Sequence, residues 1–436
     1  MKKNNNYHII TIGCQMNGAD SERLAGLLKN KGFKSVDNYR QAKNVIINTC
    51  GVRQSAEDRV YGLVNQIRKN NKEAKIIITG CLSYRADVKR RLAGRVDLFL
   101  PINEIPQLPG FLLETNIYQP YFSLEKTRQQ LGEKYLQIKA DYQNSFSAYL
   151  PIGNGCNNFC SYCVVPYARG REIYRPAQSI ITEARALIKA GYREIILIAQ
   201  NVNSYQDKRY NFPKLLKRVS LLPGNFWLRF SSSHPKDLSD ELIKVIGNSR
   251  KICHHLHLAV QSGDDQILQA MNRNYTAAHY LKLIKKVRAA KPGLAITTDV
   301  IVGFPGESKA QFNNTVNLFQ TINFNLAYIA QYSPRPGTAA AKLKNNVLTS
   351  EKKRRAQFLN RLLIKSAQSY NNNYLGKKVK VLVAGRNKRG KYYGKTSDYL
   401  TVIFTAAAAV NDNLIGQFVN VHVTAAQPFG LEGKLI

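Results

Sequence analysis

The hydrophobic positions change their spacing along the chain, and each spacing predicts a different kind of structure. Up to about residue 110, β-branched runs at 8–12, 44–47 and 75–79 alternate with helical patterns at 21–31 and 56–70. This alternation is typical of a parallel sheet covered by helices on both faces. Residues from about 110 to 145 lose the periodicity, and a linker with an edge strand is predicted there.

A second region of alternating elements continues to about residue 370. Helical patterns separate five further strand-like runs, which lie at 194–198, 227–230, 255–260, 295–302 and 326–331. Six or so strand–helix repeats favour a full or partial β/α barrel. The active site of such a barrel lies at the C-terminal ends of its strands.

The last 65 or so residues contain short β-rich runs separated by turns, which predicts a small OB-like β-barrel. Cations alternate with aromatic residues in one part of it, at Arg386, Lys388, Arg389, Lys391, Tyr392, Tyr393 and Lys395. Such a face suits a phosphate backbone and stacked bases. A solvated hairpin of a basic protein is the alternative.

The sequence therefore predicts an α/β protein of three domains. Residues 1–120 form a parallel-sheet α/β domain, 142–372 a partial barrel, and 373–436 a small β-barrel.

The charge of the chain points to a polyanionic partner. Lys and Arg number 64 against 28 Asp and Glu, a net charge of +36. Such an excess favours nucleic acid, although a host that favours Lys would produce it too. No apolar run approaches the roughly 20 residues of a membrane helix, and the N-terminus does not resemble a signal peptide. We therefore expect a cytoplasmic protein without a membrane role.

Three of the seven cysteines, Cys156, Cys160 and Cys163, have C-x-x-x-C-x-x-C spacing on one tight loop. Four-iron clusters normally take four thiolates, so three leave one iron open to chelate S-adenosylmethionine. Structural zinc is the alternative, but no neighbouring Cys or His supplies its fourth ligand. The loop predicts a cluster that splits this cofactor into a 5′-deoxyadenosyl radical.

Three other cysteines, Cys14, Cys50 and Cys81, each follow a predicted strand of the N-terminal sheet. Parallel strands point the same way, so these thiols should meet at the carboxyl edge of the sheet. Gly13 and Gly80 would let the backbone approach a cluster closely. The pattern favours a second cluster over three separately buried cysteines.

Polar residues end the barrel strands and are expected to contact S-adenosylmethionine. The expected contacts are Tyr162, Gln200, Asn201, Ser232, Gln261 and Asp299. The remaining basic, histidine and cysteine residues near these motifs have less defined roles. Arg169, Arg171 and Arg175 could contact the cofactor carboxylate or the phosphates of a nucleic-acid partner, or could belong to the general surface charge. Cys253, His254, His255 and His257 are expected to be structural, with metal ligation by the histidines as the alternative.

With these motifs the chain resembles the methylthiotransferases of the radical S-adenosylmethionine superfamily over nearly its whole length. The resemblance rests on five segments, at 13–17, 48–50, 79–81, 156–170 and 332–338. It implies a radical-SAM partial (β/α)6 barrel, a terminal TRAM barrel that binds RNA, and two 4Fe-4S clusters on the two cysteine triads. The sequence departs from the family's usual residues at Asn154, Ala199, Ala259 and Asp264.

The segment Cys14-Gln15-Met16-Asn17 is similar to the MiaB type within this family. That type adds a methylthio group to carbon 2 of N6-isopentenyladenosine beside the tRNA anticodon. The resemblance implies two S-adenosylmethionine molecules per turnover, an electron donor, a tRNA anticodon stem-loop as partner and a monomer. Threonylcarbamoyl-adenosine or a ribosomal protein aspartate is the alternative substrate, and a non-catalytic RNA-binding protein with structural clusters is the alternative from another class.

Overall fold

The structure is a computed structural model that describes residues 5–51, 54–113, 125–406 and 413–436, with the side chains of 125–128 left out. It confirms the fold class expected from the sequence. In chain order it contains a parallel α/β sheet, a central curved set of parallel strands covered by helices, and a closed β-barrel.

The N-terminal unit is a five-stranded parallel sheet with strand order β2-β1-β3-β4-β5. Its strands are β1 (Asn6–Thr11), β2 (Lys34–Ser35), β3 (Asn44–Thr49), β4 (Lys75–Gly80) and β5 (Leu98–Leu100). Its helices are α1 (Gln15–Asn30), α2 (Gln54–Asn70), α3 (Ala86–Arg91), α4 (Leu108–Leu112) and α5 (Glu125–Gln137), with a 3-10 turn at Ile102–Gln107.

Both faces of this sheet are covered, as the run of apolar residues in its strands requires. Every residue of β3 is buried. Ile46 packs with Leu24 of α1 on one face, whereas Ile47 packs with Val64 of α2 on the other. Successive strand residues thus face opposite layers, which fixes the register of the sheet.

Helix α1 begins at Gln15 and not at Ser21, where the helical pattern starts in the sequence. Gly13 turns the chain out of β1 with a φ of +146°. The side-chain oxygen of Asn17 then accepts hydrogen bonds from the backbone N–H and the thiol of Cys14, at 3.4 and 3.3 Å. Because the first turn of α1 is polar, the spacing of apolar residues does not predict it. The formation of this turn places Cys14 at the N-terminal end of a helix.

The linker predicted around residues 110–145 is partly wrong, because it contains helix α5. Tyr135 and Leu136 of this helix are buried in the apolar layer beneath the N-terminal sheet. A helix with so few apolar residues is stabilised by these tertiary contacts and gives a weak periodic signal. The middle of the predicted linker, 114–124, lies outside the described residues.

The central unit contains ten strands and eight helices. Its strands are β6 (Ser147–Pro151), β7 (Gly153–Asn154), β8 (Ile173–Tyr174), β9 (Glu194–Ile198), β10 (Gln206–Asp207), β11 (Tyr210–Asn211), β12 (Trp227–Phe230), β13 (His255–His257), β14 (Ala295–Val302) and β15 (Leu326–Gln331). Its helices are α6 (Val165–Arg169), α7 (Ala177–Lys189), α8 (Phe212–Ser220), α9 (Asp240–Asn248), α10 (Asp265–Ala270), α11 (Ala277–Ala290), α12 (Lys309–Ile322) and α13 (Thr349–Asn372).

Six of these strands form a curved parallel array, in the order β6-β9-β12 and β13-β14-β15. A parallel bridge between Leu228 and Ile252 joins the two halves. Apolar side chains from the strands and from the surrounding helices form one continuous core. This arrangement is the partial barrel that the repeats predict, and it brings the carboxyl ends of six strands to one mouth.

The C-terminal unit is a closed barrel with strand order β16-β17-β18-β20-β19. Its strands are β16 (Lys378–Arg386), β17 (Tyr392–Lys395), β18 (Thr401–Thr405), β19 (Phe418–Gln427) and β20 (Gly430–Leu435). The barrel packs against the central unit through Trp227, whose ring centroid lies 4.7 Å from that of Phe418. Cys253 is buried in the same apolar contact, as expected for a structural residue. Within the described ranges, no helix has the length and apolar character needed to cross a bilayer.

Two helical glycines give a test of how the N-terminal unit is packed. A Cβ atom at Gly26 in α1 would lie 2.1 Å from the backbone oxygen of Lys139, whereas one at Gly62 in α2 meets nothing within 4 Å. We expect Gly26→Ala to lower the free energy of unfolding by ~1–3 kcal/mol through overpacking. Gly62→Ala should raise it by ~0.5–1 kcal/mol, because alanine favours the helix.

Thermal unfolding of the anaerobically purified variants measures both changes. Equal melting temperatures for the two variants would contradict the close packing of α1 against the chain at Lys139.

Candidate active site

The three cysteines of the N-terminal sheet lie at the carboxyl edge of its parallel strands, as predicted. Cys50 and Cys81 directly follow β3 and β4, and Cys14 follows β1 after a short turn. All three line a cavity of about 270 Å³ that is also lined by Cys156, Cys160 and Cys163. The structure thus brings the two triads together around one space.

Glycines let the backbone segments of the first triad approach one another. A Cβ atom at Gly13 would lie 2.7 Å from the Cβ of Cys50. One at Gly51 would lie 3.2 Å from the Cβ of Cys81. Gly80 has a φ of +85°, a conformation that other residues rarely adopt.

The second triad lies on the loop between β7 and α6, and contacts from other segments hold this loop. Ser161 donates to the backbone oxygens of Ala270 and Met271 through its hydroxyl and its N–H. The side chain of Asn272 donates to the backbone oxygens of Asn158 and Phe159 at 3.0 and 3.1 Å. These bonds fix the loop from the side of the central barrel.

A buried ion pair joins helix α1, which follows Cys14, to helix α6, which follows Cys163. Nη2 of Arg169, at the end of α6, lies 2.5 Å from a carboxylate oxygen of Asp20 on α1, and both side chains are almost fully buried. Nη1 of the same residue donates to Asn154 at 2.9 Å, and Asn154 donates to Asn103 at 2.7 Å. Tyr135 donates to Asp20 from α5. Asn154, one of the departures from the family pattern, is therefore part of this network.

The sequence left the roles of three arginines open, and two of them are engaged within the protein. Arg169 binds Asp20, and Arg175 lies 2.5 Å from Glu183. The guanidinium of Arg171 stacks on the ring of Phe159 at 4.8 Å. Neither buried arginine is oriented as a surface contact for tRNA phosphate.

Burial keeps the thiols of Cys156 and Cys163 neutral when no metal is bound to them. Burial and the adjacent thiol of Cys160 raise the pKa of Cys163 far above its usual range. Burial also raises the pKa of Cys156 to about 11. Iron reverses this effect, because a coordinated thiol is deprotonated outright.

The cationic side chain of Arg273, which sequence reasoning missed, directly contacts the triad of Cys156, Cys160 and Cys163. Arg273 donates from Nη1 to the sulfur of Cys160 at 3.6 Å and from Nη2 to the backbone oxygen of Ala259 at 2.6 Å. It lies in the turn after α10, where no motif marks it. Only the tertiary fold brings it to the cavity.

The six residues expected to contact S-adenosylmethionine all line the cavity of the triads, namely Tyr162, Gln200, Asn201, Ser232, Gln261 and Asp299. Ser232 and Gln261 have φ values of +67° and +68°. Residues other than glycine in this region are uncommon and cluster at functional sites. The geometry is compatible with cofactor contact, which stays a prediction for each of them.

Three buried polar atoms of the cavity residues have no hydrogen-bond partner within the described part of the chain: Asn201 Oδ1, Ser233 Oγ and His234 Nε2. Burial lowers the pKa of His234 to about 2, so its ring is neutral. Its Nδ1 accepts from the N–H of Lys236 at 3.2 Å, which leaves the proton on Nε2. The cavity therefore offers a donor and acceptors to a polar ligand, and buried polar groups normally require such partners.

The residues present fit the two groups that the sequence implies. Among the described side chains, no three His, Cys, Asp or Glu are grouped so as to hold a single metal ion. An iron–sulfur cluster is larger than one ion, and its thiolate ligands surround it at a distance. Two triads around one cavity with unpaired polar atoms suit clusters and a polar cofactor.

A second cavity of about 440 Å³ adjoins the first and shares Cys14, Ser232, His257 and Asp299 with it. Its wall is largely apolar and includes Met16, Ile196, Ile198, Phe230, Leu326 and Tyr328. His255 and His257 each form a hydrogen bond with the hydroxyl of Thr297, and Nε2 of His257 also lies 3.2 Å from a carboxylate oxygen of Asp299. The two cavities give a space beside both triads for a further molecule.

Comparison with known proteins shows which family the chain belongs to. The profile of the radical SAM superfamily matches residues 150–319, that of the TRAM domain 372–436, and that of the Uncharacterized protein family UPF0004 residues 6–100. The tRNA-2-methylthio-N(6)-dimethylallyladenosine synthase of Syntrophomonas wolfei is 39% identical and covers 100% of this chain and 98% of its own. The chain belongs to the family of these synthases.

Two further members have similar identities. Those of Carboxydothermus hydrogenoformans and Thermoanaerobacter pseudethanolicus are 38% and 40% identical, and the alignments cover 99% and 100% of this chain and 99% and 93% of theirs. The family assignment confirms a radical SAM enzyme of sulfur-group transfer, with an iron–sulfur cluster and S-adenosylmethionine.

Solved structures share the fold at low identity. The radical S-adenosylmethionine methyltransferase TsrM from Kitasatospora setae superposes with a TM-score of 0.57 at 14% identity, over 77% of this chain and 75% of that one. The cobalamin-dependent enzyme OxsB superposes with a TM-score of 0.54 at 9% identity, over 84% of this chain and 56% of that one.

Two ion pairs of α1 test the importance of the buried network. Asp20→Asn leaves the guanidinium of Arg169 buried without its counter-charge, and we expect a loss of ~3–5 kcal/mol in the free energy of unfolding. Lys29→Met removes the exposed pair with Asp141, at 2.9 Å, and should cost at most ~1 kcal/mol. Thermal unfolding compares the two, and a similar small effect for both would show that the buried pair does not hold the units together.

Proposed function

We propose that this protein adds a methylthio group to carbon 2 of N6-isopentenyladenosine next to the anticodon of tRNA. The observation that carries the proposal is the single cavity lined by both cysteine triads, which opens into a larger, mostly apolar cavity. The printed names of the relatives support the same substrate, since dimethylallyl and isopentenyl denote the same five-carbon group.

The polar groups of the larger cavity favour an apolar substituent over a charged one. Arg229 is the one Lys or Arg among the described residues that line it, and this guanidinium is bound by Glu194 at 2.6 Å. Burial, with Arg229 nearby, holds the pKa of His255 well below its usual range, so that ring is neutral. The carboxylate of a threonylcarbamoyl group would face Asp299 without an unpaired cation, whereas an isopentenyl group would meet aliphatic side chains.

The protein supplies ligands, positions and a dry cavity for this chemistry. Cys156, Cys160 and Cys163 would hold the cluster at which S-adenosylmethionine binds and yields a carbon radical. Cys14, Cys50 and Cys81 would hold a second cluster that carries the sulfur. The cavity residues keep the target adenine between the triads, and an adenine C–H needs such a radical because it is not acidic.

The C-terminal barrel and the charge of the chain support RNA as the partner. Arg386, Lys388, Arg389, Lys391 and Tyr393 are exposed on and beside the hairpin between β16 and β17. Tyr392 instead points into the barrel, where its ring stacks on Phe404, and Lys395 donates to Thr401 at 2.8 Å. The exposed cations would contact phosphates, and a base of the anticodon loop is cheap to unstack.

Several further features belong to the proposal. The enzyme uses two S-adenosylmethionine molecules per turnover, one as methyl donor and one as radical source. It takes electrons from a separate reducing donor and acts as a monomer in the cytoplasm. A purely structural role for the clusters is disfavoured, because they would adjoin a cavity with unpartnered polar atoms.

Iron content tests the two-cluster arrangement. After anaerobic reconstitution, the chain should hold about eight irons, four for each triad. Replacing Cys156, Cys160 and Cys163 by alanine should leave about four, and so should replacing Cys14, Cys50 and Cys81. Cys253→Ala is the control and should retain all of them, because this thiol packs against Trp227. A Cys156/Cys160/Cys163 variant that binds no iron in the EPR and iron assays would rule out the second site.

Nucleoside composition of tRNA tests the substrate. Cells that lack this protein should lose 2-methylthio-N6-isopentenyladenosine and accumulate N6-isopentenyladenosine, as measured by mass spectrometry of digested tRNA. Re-expression of the native chain should restore the methylthio nucleoside. An unchanged profile, or a selective loss of the methylthio-threonylcarbamoyl nucleoside, would overturn the proposal.

A further inference from the structure

One residue of the larger cavity comes from the C-terminal barrel. Tyr399 lies in the turn between β17 and β18 and lines the cavity beside Cys14. Its φ is +69°, a conformation that costs free energy for a bulky side chain and persists only where the surroundings enforce it. The barrel therefore reaches into the cavity with a strained residue.

The turn that carries Tyr399 is fixed to the central barrel. Arg229 donates to the backbone oxygens of Thr396 and Ser397 at 2.6 and 2.9 Å. Asp398 lies 3.1 Å from Nδ1 of His254. Contacts on both sides of the turn position the Tyr399 ring before any RNA arrives.

The ring itself forms a rigid part of the wall. It stacks on His255 with a centroid distance of 5.1 Å and an interplanar angle of 22°. The guanidinium of Arg229 lies 5.1 Å from its centroid and Nζ of Lys395 4.5 Å. These neighbours hold the ring of Tyr399 in place where the residue lines the cavity.

The hydroxyl of Tyr399 contacts Gln15 of the N-terminal unit next to Cys14. Nε2 of Gln15 donates to it at 3.5 Å, at the limit of a hydrogen bond. Oε1 of Gln15 accepts from Ser231 at 3.1 Å. Residues of all three units thus meet next to Cys14. Because Gln15 donates to the phenol oxygen, the O–H of Tyr399 is left to donate to an acceptor such as a ring nitrogen of a purine.

We propose that Tyr399 is a substrate-positioning residue, a wall that the RNA-binding barrel contributes to the cavity and that contacts the flipped adenine together with Gln15. This inference rests on the proposed function and deepens it. The barrel that binds tRNA then also supplies the wall against which the adenine is placed beside Cys14.

The experiment isolates the part of RNA affinity that comes from the target base. Dissociation constants are measured for an anticodon stem-loop carrying N6-isopentenyladenosine and for the same stem-loop with an abasic site at that position. The native chain should bind the first about tenfold more tightly, the order expected for one well-packed base. Tyr399→Ala should reduce this preference to about twofold without weakening binding of the abasic stem-loop.

Two companion variants complete the test. Tyr399→Phe keeps the stacked ring and loses the hydroxyl, so its preference should fall to about threefold to fivefold. Phe429→Ala, at an exposed aromatic residue of the same barrel, should behave as the native chain in affinity and in turnover. In steady-state assays Tyr399→Ala should raise KM more than it lowers kcat.

The outcomes separate this inference from the proposed function. A native chain that does not methylthiolate the isopentenylated stem-loop would overturn the proposed function. A native chain that does so, with a Tyr399→Ala variant of unchanged base preference, would overturn only the role of Tyr399. If Tyr399→Ala fails to fold, as judged by iron content and melting, a native preference in Tyr399→Phe would overturn the hydroxyl contact.

Discussion

The buried ion pair between Asp20 and Arg169 is the contact on which the site depends. Asp20 lies on the helix that begins beside Cys14, and Arg169 ends the helix that follows Cys163. Neither charge can separate from the other without being left unpaired in the interior. The separation of the two triads is thus set by a direct contact, and one cavity can hold the reacting atoms of both.

A second arginine, Arg229, fixes the C-terminal barrel to the central barrel, as Arg169 fixes the N-terminal sheet to it. Arg229 binds Glu194 within the central barrel and two backbone oxygens of the barrel turn. The three units consequently contact one another around Gln15 and are not connected through linkers alone. In the proposed function, an RNA bound to the barrel would lie at a defined distance from the thiols, as a group transfer to one of its bases requires.

Much of this arrangement follows from local sequence signals. Cysteines placed after buried strands predict convergence at a sheet edge, because strand direction and pleat fix where such residues go. The early start of α1, helix α5, Arg273 and Tyr399 were not predictable in this way. Helix α5, Arg273 and Tyr399 depend on contacts between segments far apart in the chain, and neither period nor spacing records such contacts. The early start of α1 depends on the polar cap between Cys14 and Asn17, which an apolar period does not record. The six residues expected to contact S-adenosylmethionine line the cavity, and their individual contacts remain predictions.

The contact between the central and C-terminal barrels has a practical consequence. Trp227 is the one tryptophan of the chain, and its ring packs against Phe418 across the junction, with the guanidinium of Arg229 at 5.4 Å. Any movement of the C-terminal barrel changes the surroundings of this single indole. The fluorescence emission spectrum of Trp227 therefore reports how the C-terminal barrel packs against the central barrel, without an added label.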